Sequence, residues 1–233
     1  MDTSHDFRRI VCGSCGHVSD VPIYCGDRFC PVCSGPRRKR LRERFTAIVS
    51  ATPRKSRYRW RFVTLTIPSQ EDPKEALDTL YESFKRLRQR KWWKSYCLGG
   101  ICGAEITRSL DKWHVHLHII LYSTFIPQSE LAKRWRQVSP GRIVDIRLLP
   151  ETTAISYILK YITKPALGGI HRETACRALA SRRLYSTFGI CHSIKVAVER
   201  VPYACPVCGQ THWLMYGLLA EGEGYTVDCI SSA

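Results

Sequence analysis

Residues 113–121 read WHVHLHIIL, so His114, His116 and His118 fall at alternate positions among bulky apolar residues. Successive side chains of a β-strand point to opposite faces. The three imidazoles therefore share one face, while Val115, Leu117 and Ile119 share the other and anchor the strand in a core. Rings at i and i+2 both reach one divalent ion. A carboxylate is at hand in GAEITRS, residues 103–109: pairing 100–108 with 113–121 around the turn LDK sets Glu105 beside His116. Glu105, His116 and His118 form an oxygen-and-nitrogen ligand set that leaves coordination positions open for substrate oxygens. It suits Mn²⁺ or Mg²⁺, with His114 as an alternative ligand or a supporting group. A single histidine here would read more simply as a solvated or hydrogen-bonded ring. Three in alternation beside a carboxylate-bearing strand favour a metal site.

A second group of reactive side chains lies in YILKYITK, residues 157–164. Tyr157 and Tyr161 are four apart and share one helical face, and Lys160 and Lys164 each follow a tyrosine by three residues. The plain alternative is a pair of amphipathic core tyrosines. A phenol, with a pKa of about 10, is a weak nucleophile at neutral pH. A nearby lysine and a metal ion lower the cost of forming phenolate or of neutralising a phosphate under attack.

The chain has 12 cysteines. CGSC (12–15) and CPVC (30–33) are separated by fourteen residues, so Cys12, Cys15, Cys30 and Cys33 fit a tetrahedral Zn²⁺ site. Cys25 lies between them, as a spare thiol or a replacement ligand. CPVCG (205–209) supplies Cys205 and Cys208 as half of a second Zn²⁺ knuckle, with Cys191, His192, His212 and Cys229 as candidate partners. A thiol pair, or ligands lent to the first site, are the alternatives there. Cys97, Cys102 and Cys176 read as buried apolar thiols.

The elements that must position these groups follow from patterning. WRFVTLTIP (60–68) alternates and stops at a proline, which predicts a strand. DPKEALDTLYESFKRLRQRK (72–91) opens with Asp-Pro and keeps Ala76, Leu77, Leu80 and Phe84 near one face, which predicts a helix. PRRKRLRERFTAIVSA (36–51) is basic and carries Leu41, Phe45 and Ile48 at helical spacing. PQSELAKRWRQVS predicts a short helix, GRIVDIRLL a strand and TTAISYILKYITK a helix ended by Pro165. Strand, helix, strand, strand, helix, strand, helix implies an α+β fold, an antiparallel sheet with helices on one face.

Composition bounds the function. The 233 residues carry a formal net charge of +16, from 36 basic and 20 acidic side chains, and 44% are hydrophobic. That affords a sizeable core and makes a polyanion, nucleic acid by default, the expected partner. No apolar run approaches the ~18 residues of a membrane span, and MDTSHDFRRIVCGSC lacks an apolar signal region, so a soluble intracellular protein is expected. RRKRLRER (37–44) and KRLRQRKWWK (85–94) are the densest basic runs, and the second includes Trp92 and Trp93. Arginines contact phosphates and aromatics stack on unpaired bases, with Arg134, Arg136, Arg182 and Arg183 as further contacts. No GxxxxGK[ST] segment is present, so no fused helicase is expected.

Taken in order, FVTLTIP (62–68), WHVHLHIIL and YILKYITK resemble the three motifs of the HUH endonuclease superfamily, in particular rolling-circle replication initiators of plasmids and phages in the two-tyrosine form. The histidine motif matches best on His116 and His118, the upstream acidic ligand falls on Glu105, and the tyrosine motif falls on Tyr157 and Tyr161. The resemblance implies a palm of ferredoxin- or RRM-like kind and a metal-dependent enzyme that nicks and rejoins single-stranded DNA at a replication origin. A 5′-phosphotyrosine link would hold one end, and the free 3′-hydroxyl would prime synthesis. Some related initiators use only the tyrosine of a KYxxK segment, which ranks Tyr161 above Tyr157; Lys164, and secondarily Lys160, would position the phosphate. It implies a separate helicase as partner, no membrane, and a cytoplasmic setting in a bacterial or archaeal host as a plasmid- or phage-encoded protein. The segments expected are a zinc-binding part (1–36), a basic helix or linker (37–57), a nuclease core (58–165) and an extension with a zinc knuckle (166–233). Two alternatives stay open: a single-strand transposase or relaxase of the same superfamily, and a non-catalytic zinc-ribbon DNA-binding regulator.

Overall fold

A computed structural model describes residues 6–163, 169–196 and 202–215. The chain opens with strands β1 (Phe7–Cys12) and β2 (Val18–Pro22) and helix α1 (Pro31–Ala51). Strand β3 (Arg59–Thr66), helices α2 (Pro73–Gln89) and α3 (Lys91–Tyr96), and the hairpin β4 (Cys97–Ser109) and β5 (Lys112–Ser123) follow. Then come α4 (Gln128–Arg136), β6 (Val144–Leu148), α5 (Glu151–Ile162), α6 (Gly169–Leu179), β7 (Ser186–Gly189) and β8 (Trp213–Met215). The α+β class with antiparallel sheets expected from sequence holds. A five-stranded sheet has the order β6–β3–β5–β4–β7, and a three-stranded sheet the order β2–β1–β8.

The central hairpin fixes the register of everything else. Glu105 lies opposite His116, as the turn predicts. Across the other edge of β5, Thr66 faces His116, Thr64 faces His118, Phe62 faces Ile120 and Trp60 faces Tyr122. Strand β3 in turn sets Thr64 against Asp145 and Phe62 against Arg147 of β6.

One expectation fails: helices cover both faces of the sheet, not one. The face of Val63, Leu65, Val115, Leu117 and Ile119 packs on Ala76, Leu77, Leu80 and Phe84 of α2. Asp72 caps that helix by accepting the amides of Lys74 and Glu75, and Pro73 opens it. The histidine face continues as Trp60, Phe62, Ile120 and Tyr122, and it packs on Leu41, Phe45 and Ile48 of α1 and Ile155, Ile158 and Ile162 of α5. The physical cause was present in HIILY and WRFV: strands apolar on both sides need cover on both sides. Helix α5 comes close to the sheet because β4 has Gly103 beneath it. A Cβ there would stand 2.4 Å from Ile162 Cγ2.

Candidate active site and metal centres

Histidine ladder. Each of the three histidines is held by a hydroxyl from β3 or the residues just after it. Thr64 Oγ1 lies 3.1 Å from His118 Nδ1, Thr66 Oγ1 3.2 Å from His116 Nδ1, and Ser69 Oγ 2.7 Å from His114 Nδ1. Period-two alternation in FVTLT carries this signal for Thr64 and Thr66, yet these hydroxyls and that of Ser69 were not anticipated as partners. They fix ring orientation and leave the Nε2 edge for other work. His118 is buried, and its Nε2 lies 3.0 Å from Glu105 Oε2. Adjacent ligands of an octahedral ion at about 2.1 Å stand about 3.0 Å apart, so this pair has the spacing of neighbouring ligands. His116 is one step along the strand, its ring centroid 6.2 Å from that of His118. Burial holds its pKa below the ordinary imidazole value against the pull of Glu105, and His118 and His114 lower it further. A neutral imidazole is the form that ligates a metal. Among the described residues, three or more ligating atoms all within 4.8 Å of one another occur only in two cysteine groups; Glu105, His116 and His118 do not close that far.

Tyrosine helix. Helix α5 lies on this same face. The Tyr161 ring stacks on His118 with centroids 4.0 Å apart and planes at 18°. Tyr157 packs edge-on against Phe62 at 5.6 Å and lies 6.5 Å from Tyr161, with 38% of its surface exposed. Phenols and imidazoles thus meet, with Tyr161 the nearer. Lys160 Nζ sits 5.8 Å from the Tyr161 ring centre. Lys164 lies outside the described residues. A cation not anticipated is Arg147 on β6: its Nε is 2.7 Å from Asp145 Oδ2, and that bond chiefly, with Tyr157 and Tyr161 adding, holds the guanidinium above its ordinary pKa. IVDIRLL shows both side chains at alternate positions; only the β3–β6 register shows that they face the tyrosines.

Cysteine centres. The first zinc ligand set needs correction. Cys12 and Cys15 do not meet Cys30 and Cys33; they meet Cys205 and Cys208, so the partners of the C-terminal knuckle are the N-terminal pair. Cys12 Sγ is 3.5 Å from Cys208 Sγ and Cys15 Sγ 3.7 Å from Cys205 Sγ. A tetrahedron with Zn–S bonds of about 2.3 Å places sulfurs about 3.8 Å apart, so the group fits zinc. Two matching turns build it. In each, the glycine after the second cysteine has φ 74° and donates its N–H to the first cysteine's carbonyl, Gly16 to Cys12 and Gly209 to Cys205. At Cys12, burial opposes ionisation, but the backbone of Ser14 and Cys15 and the thiols of Cys208 and Cys15 outweigh it and bring the pKa to about 6. Cys25, Cys30 and Cys33 form the second group, with Cys25 Sγ 3.8 Å from Cys33 Sγ. Both groups can hold zinc. Of the other candidate partners, Cys191 is buried in the core under α1 and α5, His192 bonds Thr187, and His212 accepts the Gly13 N–H with its carbonyl while its ring lies against Gly13. Cys229 lies outside the described residues. Burial pushes the Cys102 thiol up to about 12, as befits an inert core group.

Basic runs. These are partly structural. Arg37 is buried and donates to the carbonyls of Arg28 and Asp27, both at 2.7 Å. Trp93 is buried against Phe84, so it cannot stack on a base; it lies in the core on the α2 side, away from the histidines. Arg182 pairs with Asp78, and Arg134 with Glu130. No helix among the described residues is long and apolar enough to cross a membrane.

A family model described as replication protein matches residues 18–200. Two curated relatives, both called Protein rep, come from Bacillus amyloliquefaciens and from a Bacillus species. Each is 29% identical over 138 residues, 53% of this chain and 41% and 45% of the relatives. The chain thus spans less than half the length of the curated relatives it matches. No solved structure matches.

Proposed function

The chain belongs to the replication protein family, and from that premise we propose that it initiates rolling-circle replication by nicking and rejoining single-stranded DNA through a 5′-phosphotyrosine intermediate. The observation that carries this reading is the stacking of Tyr161 on His118, itself bonded to Glu105, on one face of the sheet. Tyr161 attacks the scissile phosphorus, the P–O3′ bond breaks, and the 3′-hydroxyl leaves as a primer. Tyr157, exposed beside it, accepts the strand in the closing transfer. Lys160 and Arg147 place positive charge around the phosphate, joined by Lys164. Glu105, His116 and His118 would hold Mn²⁺ or Mg²⁺, which would supply charge to offset that developing on the phosphodiester. The hydroxyls of Thr64 and Thr66 keep the two imidazoles in one orientation, and His116 would close toward the Glu105–His118 pair on binding. Structural Zn²⁺ fills the Cys12, Cys15, Cys205, Cys208 group and the Cys25, Cys30, Cys33 group. The origin is the substrate, and a separate helicase unwinds it.

Incubating the protein with single-stranded DNA and Mn²⁺ and resolving the products on a denaturing gel tests this. A covalent adduct is expected, reduced strongly in Tyr161→Phe and abolished in Tyr157→Phe/Tyr161→Phe. An adduct surviving the double change would overturn the tyrosine assignment.

A further inference from the structure

A cleft of about 660 Å³, apart from the histidine site, lies on the same face of the sheet, at the start of α5. Its floor is aromatic. Trp60 and Tyr122 pack at 4.9 Å, and Tyr58 adds a third ring 5.6 Å from Tyr122. The Tyr122 hydroxyl accepts the Lys55 N–H at 2.8 Å and donates to the Pro53 carbonyl at 3.3 Å, which ties the 53–55 loop to the floor. Arg54 and Lys55 stand exposed on that loop and line the cleft; neither pairs with a carboxylate among the described residues. Across from them is Glu151, the first residue of α5.

The location relates the cleft to the tyrosines. His118 and Tyr122 are four residues apart on β5, on the same side, which is about 13 Å. Glu151 precedes Tyr157 by six residues on one helix, a rise of about 9 Å. A strand whose phosphate lies at Tyr161 therefore reaches the cleft within a few nucleotides. The volume is that of a small-ligand pocket, enough for one nucleotide and too small for a duplex. A half-buried ring, Tyr58, for a base, with Trp60 and Tyr122 backing it from the core, cations for its phosphates and one carboxylate as a hydrogen-bond acceptor are what an unpaired nucleotide requires.

We propose that this cleft captures one unpaired base of the strand being cut and reads it through Glu151. The inference rests on the proposed nicking function and adds a specificity determinant to it. A carboxylate accepts from the exocyclic amine of cytosine or adenine and finds no such donor on thymine in an equivalent pose. The cleft therefore prefers an amine-bearing base.

The test uses the full chain with no Mn²⁺ or Mg²⁺ added and no chelator, so that the zinc groups stay loaded and binding is read without cleavage, by anisotropy of labelled dC, dA and dT oligonucleotides. Wild type should bind dC or dA about tenfold more tightly than dT. Glu151→Gln should bring the bases to within about twofold of one another, since an amide both donates and accepts. Tyr58→Ala should weaken binding about tenfold through lost stacking. Should Tyr58→Ala fail to fold, Arg54→Ala/Lys55→Ala, at exposed positions, should lower the slope of log affinity against log salt by about 1.4. Unchanged affinity and base preference across these variants overturn the proposal. So does a free deoxynucleotide monophosphate that binds tightly and is displaced by no oligonucleotide. Adduct formation by the variants in Mn²⁺ is scored separately: variants with wild-type binding that still form the adduct sink the cleft and spare the nickase. Base-selective binding with no adduct from wild type sinks the nickase and spares the cleft.

Discussion

Gly103→Ala is the perturbation that most directly connects packing to chemistry. Gly103 lies opposite His118 on β4, and Ile162, next to Tyr161 in sequence, rests on it. The added methyl would stand 2.4 Å from Ile162 Cγ2 and 3.1 Å from the Leu184 carbonyl oxygen. Carbon atoms pack at about 3.5–4.0 Å, so the end of α5 must retreat by about 1 Å. Overpacking of this kind costs about 1–3 kcal/mol. In a domain of this size that lowers Tm by about 2–12 °C. A misplacement of about 1 Å at a reacting group costs as much as a hundredfold in rate. Differential scanning fluorimetry and single-turnover adduct formation read the two effects. Ile162→Ala alone should cost about 2–5 kcal/mol as a cavity. The double variant should then be more stable than the sum of the singles by about 1–3 kcal/mol, because the clash has gone. A Gly103→Ala protein that melts and nicks like wild type would show that α5 shifts freely and that its seating does not set the phenol.

Two further perturbations test the outlying parts. Cys12→Ser and Cys205→Ser should each remove the same zinc ion, so metal analysis should fall from two per chain to one in either single and stay at one in the double, while Cys30→Ser removes the other ion; a Cys12→Ser/Cys205→Ser chain that loses both ions would refute the shared tetrad. Asp78 is held below the ordinary 3.8 first by Arg182 and then by Lys74. A lowered carboxylate gives stability that is present above the unfolded value and lost as pH falls through the folded one. The Tm gap between wild type and Asp78→Asn should thus be open at neutral pH and close as the pH drops below 3.8, and a gap constant with pH would rule this out.

Where the sequence was legible, short-range physics decided. Alternation in WHVHLHIIL and a tight turn set the hairpin and the Glu105–His116 register, and Asp72-Pro73 announced α2. What stayed hidden depended on partners distant in the chain. The cysteine pairing followed proximity in sequence, fourteen residues against 190, and missed a local clue: CGSCG and CPVCG both end in the glycine their turns need, while CPVCS does not. Trp93 looked available for stacking because nothing in KWWK says which tryptophan turns inward. Arg147 and Asp145 reach the tyrosines only through the order of strands in the sheet.

The shared tetrad has a consequence for synthesis. Cys15 and Cys205 are 190 residues apart, whereas Cys25 and Cys33 are separated by eight. At 5–20 residues per second, about 10–40 s elapse between the emergence of the first half of the ribbon and its second. The compact thiol group can close on an ion while the palm is still being made; the ribbon must wait, with two thiols bare, until Cys205 and Cys208 have left the ribosome. An ion held by the ribbon would thus arrive after one in the compact group, and would tie β1 to β8 only once the sheet between them exists.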